Sequence, residues 1–342
     1  MKRSRYRTHL LRFASQPGMI ATSILFAAAA LSSQLSGLTA VACAADSPAA
    51  SETAAKPTSP FLRLLRDDRK SPVALETSIV RYRPAKESDA SWSVDLVAAL
   101  HIGEKSYYAQ LNRELASYDA VLYELVADDK RNVPQPGESG GNHPLSLFQN
   151  AMKDMLGLEF QLKGIDYTRK NMVHADMSPE EFAQSMQDRG ESVPSMFLRM
   201  LGYAMAHQDQ SNDALSAGQF LMALLDKNRA LAMKRIMAEE FANSDGSLAA
   251  LDGPNGSTLI VGRNQVALRV LREQKDAGRK TMAIFYGAGH MPDMQKRLHD
   301  DFGLEPVSTR WLVAWDLKSP PMMEKTPING RKSSNKTAKP SR

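Results

Sequence analysis

The chain has 342 residues, with 43 Lys and Arg against 38 Asp and Glu and a single cysteine, Cys43. Its formal charge of +5 comes from the ends: residues 1–44 hold five basic and no acidic residues, residues 318–342 hold seven basic and one acidic, and 31 basic against 37 acidic remain between them. A nucleic-acid footprint needs a clustered basic face on the folded part, which this distribution excludes; a mature chain starting near Ala45 has no cysteine, hence no disulfide, no thiolate nucleophile and no thiolate metal ligand, so any metal must take His, carboxylate or water.

Residues 1–44 read as a secretory signal. Lys2, Arg3, Arg5, Arg7 and Arg12 precede the apolar run "GMIATSILFAAAALSS", and Ala42-Cys43-Ala44 offers an A-x-A cleavage site. The run is about 16 residues, short of the roughly 20 that span a bilayer, so no stable membrane span is expected after cleavage. Ala40 stands where a lipidation signal at Cys43 would carry a bulky aliphatic, which favours ordinary cleavage and a periplasmic or extracellular protein. Residues 45–60, "ADSPAASETAAKPTSP", read as a flexible linker. The folded domain is expected over 61–317, and residues 318–342, rich in Pro, Ser and Lys, as a disordered basic tail.

Strand patterns cover 74–82 and 93–100, "ALETSIVRY" and "SVDLVAAL". Tyr108, Leu111, Leu115 and Tyr118 follow at helical spacing, then the short apolar strand "AVLYELV" at 120–126, making a β-α-β unit with parallel strands. A Pro/Gly-rich loop, "RNVPQPGESGGN", leads into residues 144 to about 245, which read mainly as helices. Among these, "SPEEFAQSMQD" has Ser178 as N-cap, Pro179 first in the helix and Glu181 three residues after the cap. The methionines of a helix at about 213–241 read as core filler rather than copper ligands. A helix near 258–277, a strand at 281–287, a helix "DMQKRLHDDF" and a strand at 307–317 close the chain. The fold class is α/β: a mixed, largely parallel sheet flanked by helices, with a helical insertion between two α/β halves.

Three ionisable residues stand at corresponding places. His101 ends one strand, Glu124 lies near the end of another, and His290 follows the third in "FYGAGHMPDM". Carboxyl ends of parallel strands converge on one edge, where such folds bind ligands. Gly287 and Gly289 suit a sharp exit from a strand, by tolerating positive φ and close backbone approach, and could offer N–H groups to an anion. On the next-to-last helix Asn264 shares a face with Ala267, Leu268 and Leu271 and should point inward; Arg263 beside it reads either as a surface residue or as a partner for Glu124 or a substrate carbonyl. A polar cluster in "GIDYTRKNMVHADMS", with Asp166, Tyr167, His174 and Asp176, reads either as a pocket wall or as helix caps and turns.

The segments "LVAALHIGEKSYYAQLNRELASYDAVLYELV", "GRNQVAL" and "FYGAGHMPDMQKRL", in that order, resemble the TraB/PrgY–Tiki superfamily, which includes GumN, ChaN and erythromycin-esterase-like proteins. Members carry two G-x-x-H motifs, a glutamate after the first and an Arg-Asn pair before the second. His101, Glu124, Arg263 with Asn264, and Gly287 with His290 match over roughly residues 90–315; the departure is Ala98, where the family has glycine. The resemblance implies an α/β fold and, for Tiki-like members, a metal-dependent peptidase using manganese or cobalt. Esterase-like relatives are thought to use histidine as a base without metal, and others are associated with pheromone shutdown or haem binding.

Two functions follow as expectations. The first is an exported hydrolase of peptide or ester bonds. There His101, Glu124 and His290 would bind a divalent ion (Mn, Co or Zn) or activate water directly, Arg263 would stabilise the oxyanion, and Asn264, Gly287, Gly289, Asp166, Tyr167 and His174 would contact substrate. The second is a non-catalytic binding protein for a peptide, haem or metal, with Tyr167 available as a haem ligand.

Overall fold

In a computed structural model, the structure describes residues 59–86, 91–127, 156–192, 194–196, 198–199, 219, 221–223, 225–243 and 256–318. The signal, most of the linker and all but the first residue of the basic tail lie outside the described residues, as does the Pro/Gly-rich loop. The strands are β1 (Leu62–Arg66), β2 (Pro72–Pro84), β3 (Ser93–Ala99), β4 (Ile102–Gly103), β5 (Ala120–Tyr123), β6 (Glu159–Phe160), β7 (Met172–His174), β8 (Thr281–Gly287) and β9 (Leu304–Asp316). The α-helices are α1 (Lys105–Leu115), α2 (Gln161–Gly164), α3 (Pro179–Asp188), α4 (Arg229–Asn243), α5 (Arg263–Asp276) and α6 (Met291–Phe302). Among the described residues, no helix is long and apolar enough to cross a membrane.

Seven strands form one mixed sheet in the order β1-β2-β3-β8-β5-β7, with β9 on β2. The pairs β3–β8, β8–β5 and β5–β7 are parallel, whereas β1, β3 and β9 run antiparallel to β2. Strand β8, more than 150 residues further along the chain, lies between β3 and β5, so the two strands of the expected β-α-β unit do not touch.

Strands buried on both faces read as unbroken apolar runs, as "MAIFYG" does. Val97, Ala99, Val121, Tyr123, Ala283 and Phe285 face one core, with Tyr107, Tyr108, Leu111 and Leu115 of α1 and Met233 of α4. Leu96, Ala98, Leu122, Ile284 and Tyr286 face the other, with Ala267, Leu268 and Leu271 of α5 and Met291, Met294 and Leu298 of α6. At about 25 cal/mol per Å² of apolar surface removed from water, these two layers dominate the stabilisation.

The segment 144–245 is not uniformly helical. Its described part contains β6 and β7, and β7 extends the main sheet through Val121↔Met172, Leu122↔Val173 and Tyr123↔His174. Three residues give too short a pattern to reveal a strand; the free edge of β5 makes it one. The capping box of α3 is present, with the Ser178 side chain accepting from Glu181 N–H and the Glu181 carboxylate accepting from Ser178 N–H.

Candidate active site

Register brings the strand ends level. Ala99 pairs with Gly287 and Tyr123 with Phe285, while Tyr123 also pairs with His174, so the carboxyl ends of β3, β8, β5 and β7 finish together. Beyond them lie His101, Glu124, His290 and Asp176, from four segments of the chain. Arg263 and Asn264 arrive from another direction, at the start of α5. That helix follows a π-helical turn, Thr258–Gly262, a local widening that often accompanies functional positions.

Glu124 is the hub. Its backbone N–H donates to Phe285 O (3.2 Å), fixing it at the end of β5. Its Oε2 accepts from Gly287 N–H at 2.7 Å and its Oε1 from Arg263 Nη2 at 2.8 Å, with His290 Nε2 at 3.5 Å from the same oxygen. Burial pushes this carboxyl up, but the Arg263 guanidinium and the adjoining His290 more than reverse that and hold it well below the usual carboxylate range. Arg263, 2% exposed, also donates through Nε and Nη2 to the two Asp176 oxygens, at 2.9 and 2.6 Å. Desolvation would lower the guanidinium, but Asp176 and Glu124 raise it beyond its ordinary value, so it stays charged. Its Nη1 is buried and has no hydrogen-bond partner among the described residues.

Each histidine is held through Nδ1 by a side-chain amide. Asn264 Oδ1 lies 2.7 Å from His290 Nδ1, while its Nδ2 donates to His290 O (3.1 Å) and Asp293 Oδ2 (2.8 Å). Two acceptors on the amide nitrogen leave Oδ1 for the ring, so in the neutral ring His290 Nδ1 carries the proton and Nε2 the lone pair. The His290 ring also stands edge-on to Tyr286, centroids 5.2 Å apart. On the other side Gln161 Oε1 lies 3.2 Å from His101 Nδ1. Burial lowers the tendency of His101 to take a proton, and Arg263 and His290 add to this against the opposing pull of Glu124.

Gly287 acts through space rather than backbone freedom. Its φ is −54°, open to any residue, and Gly289 also lacks the left-handed φ expected of it. A Cβ on Gly287 would lie 3.4 Å from Glu124 Oε2 and 3.5 Å from His101 Nε2, so the glycine keeps open the volume between them. Its N–H is occupied by Glu124, so the anion at this turn is the protein's own carboxylate.

The polar cluster of 164–178 divides. Asp176 joins the site through Arg263. Tyr167, 3% exposed, receives the Gln161 Nε2–H at 3.0 Å and packs its ring against Tyr123. Asp166 caps its own turn, accepting from Thr168 and Arg169. His174 Nε2 bonds Leu125 O at 2.6 Å and its ring stands against Tyr123. Asp166 and His174 therefore hold the frame and do not line the cluster. Gln161 and Asp293 escape sequence reading, because an amide or carboxylate in a helical segment carries no signal until its partner is known.

No protein-family model, curated protein or solved structure matches this chain. Two imidazoles with anchored Nδ1 and one carboxylate are the right donor types for a divalent ion. Their arrangement fits one less well: Glu124 already serves Arg263 and Gly287, and among the described residues no three His, Cys, Asp or Glu side chains are grouped to hold a metal.

Proposed function

We propose that this protein is a TraB/Tiki-like hydrolase of amide or ester bonds, exported through its N-terminal signal, with water activated between His101, Glu124 and His290. One observation carries the reading: two histidines held through Nδ1 stand with the buried Glu124 carboxylate, beside an Arg263 Nη1 that has no partner among the described residues. Unpartnered buried donors are rare in folded proteins and call for an explanation.

His101 is the partly open member of the cluster, whereas Glu124, His290 and Arg263 are buried, so substrate approaches from the His101 side. His101 Nε2 takes a proton from water held over Gly287, and the resulting hydroxide attacks the carbonyl carbon. Arg263 Nη1 donates to the carbonyl oxygen as it gains negative charge, in a setting where water competes little. The proton on His101 passes to the leaving amine or alcohol, restoring the neutral ring. Glu124 balances the positive charge on His101 during this step, and Asn264 keeps His290 Nε2 turned toward Glu124.

A metal-assisted version is the second reading, favoured by the anchoring of both histidines through Nδ1. There His101, Glu124 and His290 would hold Mn, Co or Zn, which would supply a more acidic water.

The test combines metal analysis with cleavage of peptide and aryl-ester panels by the mature protein and its His101→Ala, His290→Ala and Arg263→Lys variants. Loss of about 10²–10⁴-fold in kcat/KM for His101→Ala is expected. Cleavage at the wild-type rate by all three variants would overturn the reading, and equal metal content in wild type and both alanine variants would exclude the metal version.

A further inference from the structure

Strand β9 borders the sheet beyond β2, and part of its far edge is bare. Along β2 the odd-numbered residues turn their N–H and C=O toward β9: Val73 O accepts from Leu317 N–H at 3.0 Å, and Ala85 N–H donates to Gly303 O at 3.1 Å. The even-numbered residues turn the other way, as Ser78 N–H does in donating to Phe61 O at 3.1 Å. In an antiparallel ladder the partner of a residue turned away is itself turned away. Thr309, Trp311 and Val313 pair with Val80, Ser78 and Glu76, so their N–H and C=O groups point out from the sheet edge. Among the described residues β9 pairs with β2 alone, and no hydrogen bond meets these groups.

Both ends of the bare stretch are closed. Pro306, paired with Tyr82, turns its nitrogen outward and has no N–H to give, and the register skips Val307 beside it. At the other end the register skips Ala314, whose carbonyl already accepts Glu104 N–H at 2.9 Å. Prolines and bulges of this kind blunt a sheet edge against long partners. Residues 307–313 remain, about 23 Å of strand. On one face of it stand Thr309, Trp311 and Val313; the Arg63 guanidinium lies 4.0 Å from the Trp311 ring centroid, and Val313 is 42% exposed.

These blocks select the occupant. A second copy that used all three residues would have to pair about a two-fold axis at Trp311, the one centre that matches Thr309 with Val313 of the other chain. Its strand would then run on past Val313 into the place that Glu104 holds on Ala314. A short segment with free ends stops before either block. We propose that residues 307–313 of β9 are a docking edge for an extended segment of another polypeptide, about five to seven residues long, added as an antiparallel strand with apolar side chains at alternate positions. Opposite Thr309, Trp311 and Val313, β-branched or aromatic side chains pack on the same face. The proposal is independent of the hydrolase reading.

The test is amide NMR and hydrogen exchange of the protein with its full tail. The probe is an acetylated and amidated heptapeptide in which valine alternates with threonine between two terminal lysines. Slower exchange and shifted signals are expected at the Thr309, Trp311 and Val313 amides, with little change at Ser308 and Arg310, whose N–H groups already serve β2. Methylating the peptide nitrogens at alternate positions should weaken binding roughly 2–12-fold for each ladder bond removed in one set and leave it unchanged in the other. Thr309→Pro removes an outward N–H and should abolish binding with Tm near wild type, whereas Ser308→Pro breaks a bond to β2 and lowers Tm. Should Thr309→Pro fail to fold, the methylated peptides carry the test. No change at the three amides, or equal binding by both methylated sets, overturns the proposal. Protection of those amides that grows with protein concentration, without peptide, marks a second copy, and protection lost on truncation after Lys318 marks the chain's own tail; either result overturns it as well.

Discussion

Replacing Asp176 by alanine tests whether Arg263 is held as a buried charge. The guanidinium makes three charge-assisted bonds, two of them to Asp176, at 2.9 and 2.6 Å, and one to Glu124 at 2.8 Å. Both partners of the Asp176 pair are almost wholly out of water, at 2% and 0% side-chain exposure. Removing one partner of a buried pair costs about 3–5 kcal/mol, because the other charge is left uncompensated. Glu124 still serves Nη2, so the lower end applies, about 3 kcal/mol. For a domain of this size that corresponds to a fall in Tm of roughly 6–12 °C. The assay is thermal and urea unfolding of wild type, Asp176→Ala and the double variant Asp176→Ala with Arg263→Met. The double variant also takes from Glu124 the guanidinium that holds its buried carboxylate charged, so it is expected to be less stable than Asp176→Ala alone. A Tm within about 2 °C of wild type for Asp176→Ala, or a double variant as stable as wild type, would refute the reasoning.

Gly287→Ala keeps an allowed backbone and makes only ordinary contacts, so Tm should change little while hydrolysis is lost, because the new methyl fills the volume between Glu124 and His101; circular dichroism with the ester assay separates the two. Gly164→Ala forces a Cβ into the Tyr108 ring and should cost about 1–3 kcal/mol by urea unfolding. Stability should fall with acid in two stages in chelator. Below the ordinary histidine value of 6.5 the unfolded chain binds a proton that the partly desolvated His101 resists, and below the ordinary carboxylate value of 4.5 the stability from Glu124, whose folded value is depressed, is lost as it protonates. Urea midpoints from pH 8 to 4 measure this, and His101→Asn should flatten the first stage; a flat wild-type profile down to pH 5 would contradict it.

How far the sequence carries depends on how local each cause is. Strand β8 is legible over 281–287 because burial on both faces demands an apolar run, and α3 because its cap is written in Ser178, Pro179 and Glu181. Strand β7 is not, since three residues become a strand only by joining the edge of β5. His101, Glu124 and His290 are legible as strand-end residues, a topological argument that needs no side-chain detail. Arg263 is legible only in part: Glu124 can be named as a possible partner, but Asp176, 87 residues away, which takes two of its three bonds, cannot. The role of Gln161 is harder still: it depends on the two-residue β4–β6 ladder and on Gly164 fitting against Tyr108, neither of which has a periodic signature. The two glycines mislead in an instructive way. Gly287 reads as a turn residue, yet the missing side chain rather than φ is what the site uses.

The charges of the cluster bear on which version of the chemistry the fold supports. Arg263 contributes one positive charge, and Glu124 and Asp176 contribute two negative ones, so with both imidazoles neutral the buried set carries a net −1. A proton taken by His101 brings it to neutrality. A divalent ion would bring the set to +1, with the Arg263 guanidinium 2.8 Å from the carboxylate that must serve as a ligand. Like charges that close are costly in a medium of low dielectric. Unless Arg263 moves away from Glu124, this arrangement favours proton transfer by His101 over metal-assisted attack. The Arg263→Met variant provides the contrast: removing the guanidinium should weaken cleavage and strengthen binding of Mn or Co together, whereas a metalloenzyme that uses Arg263 only for the oxyanion would lose cleavage with its metal affinity unchanged.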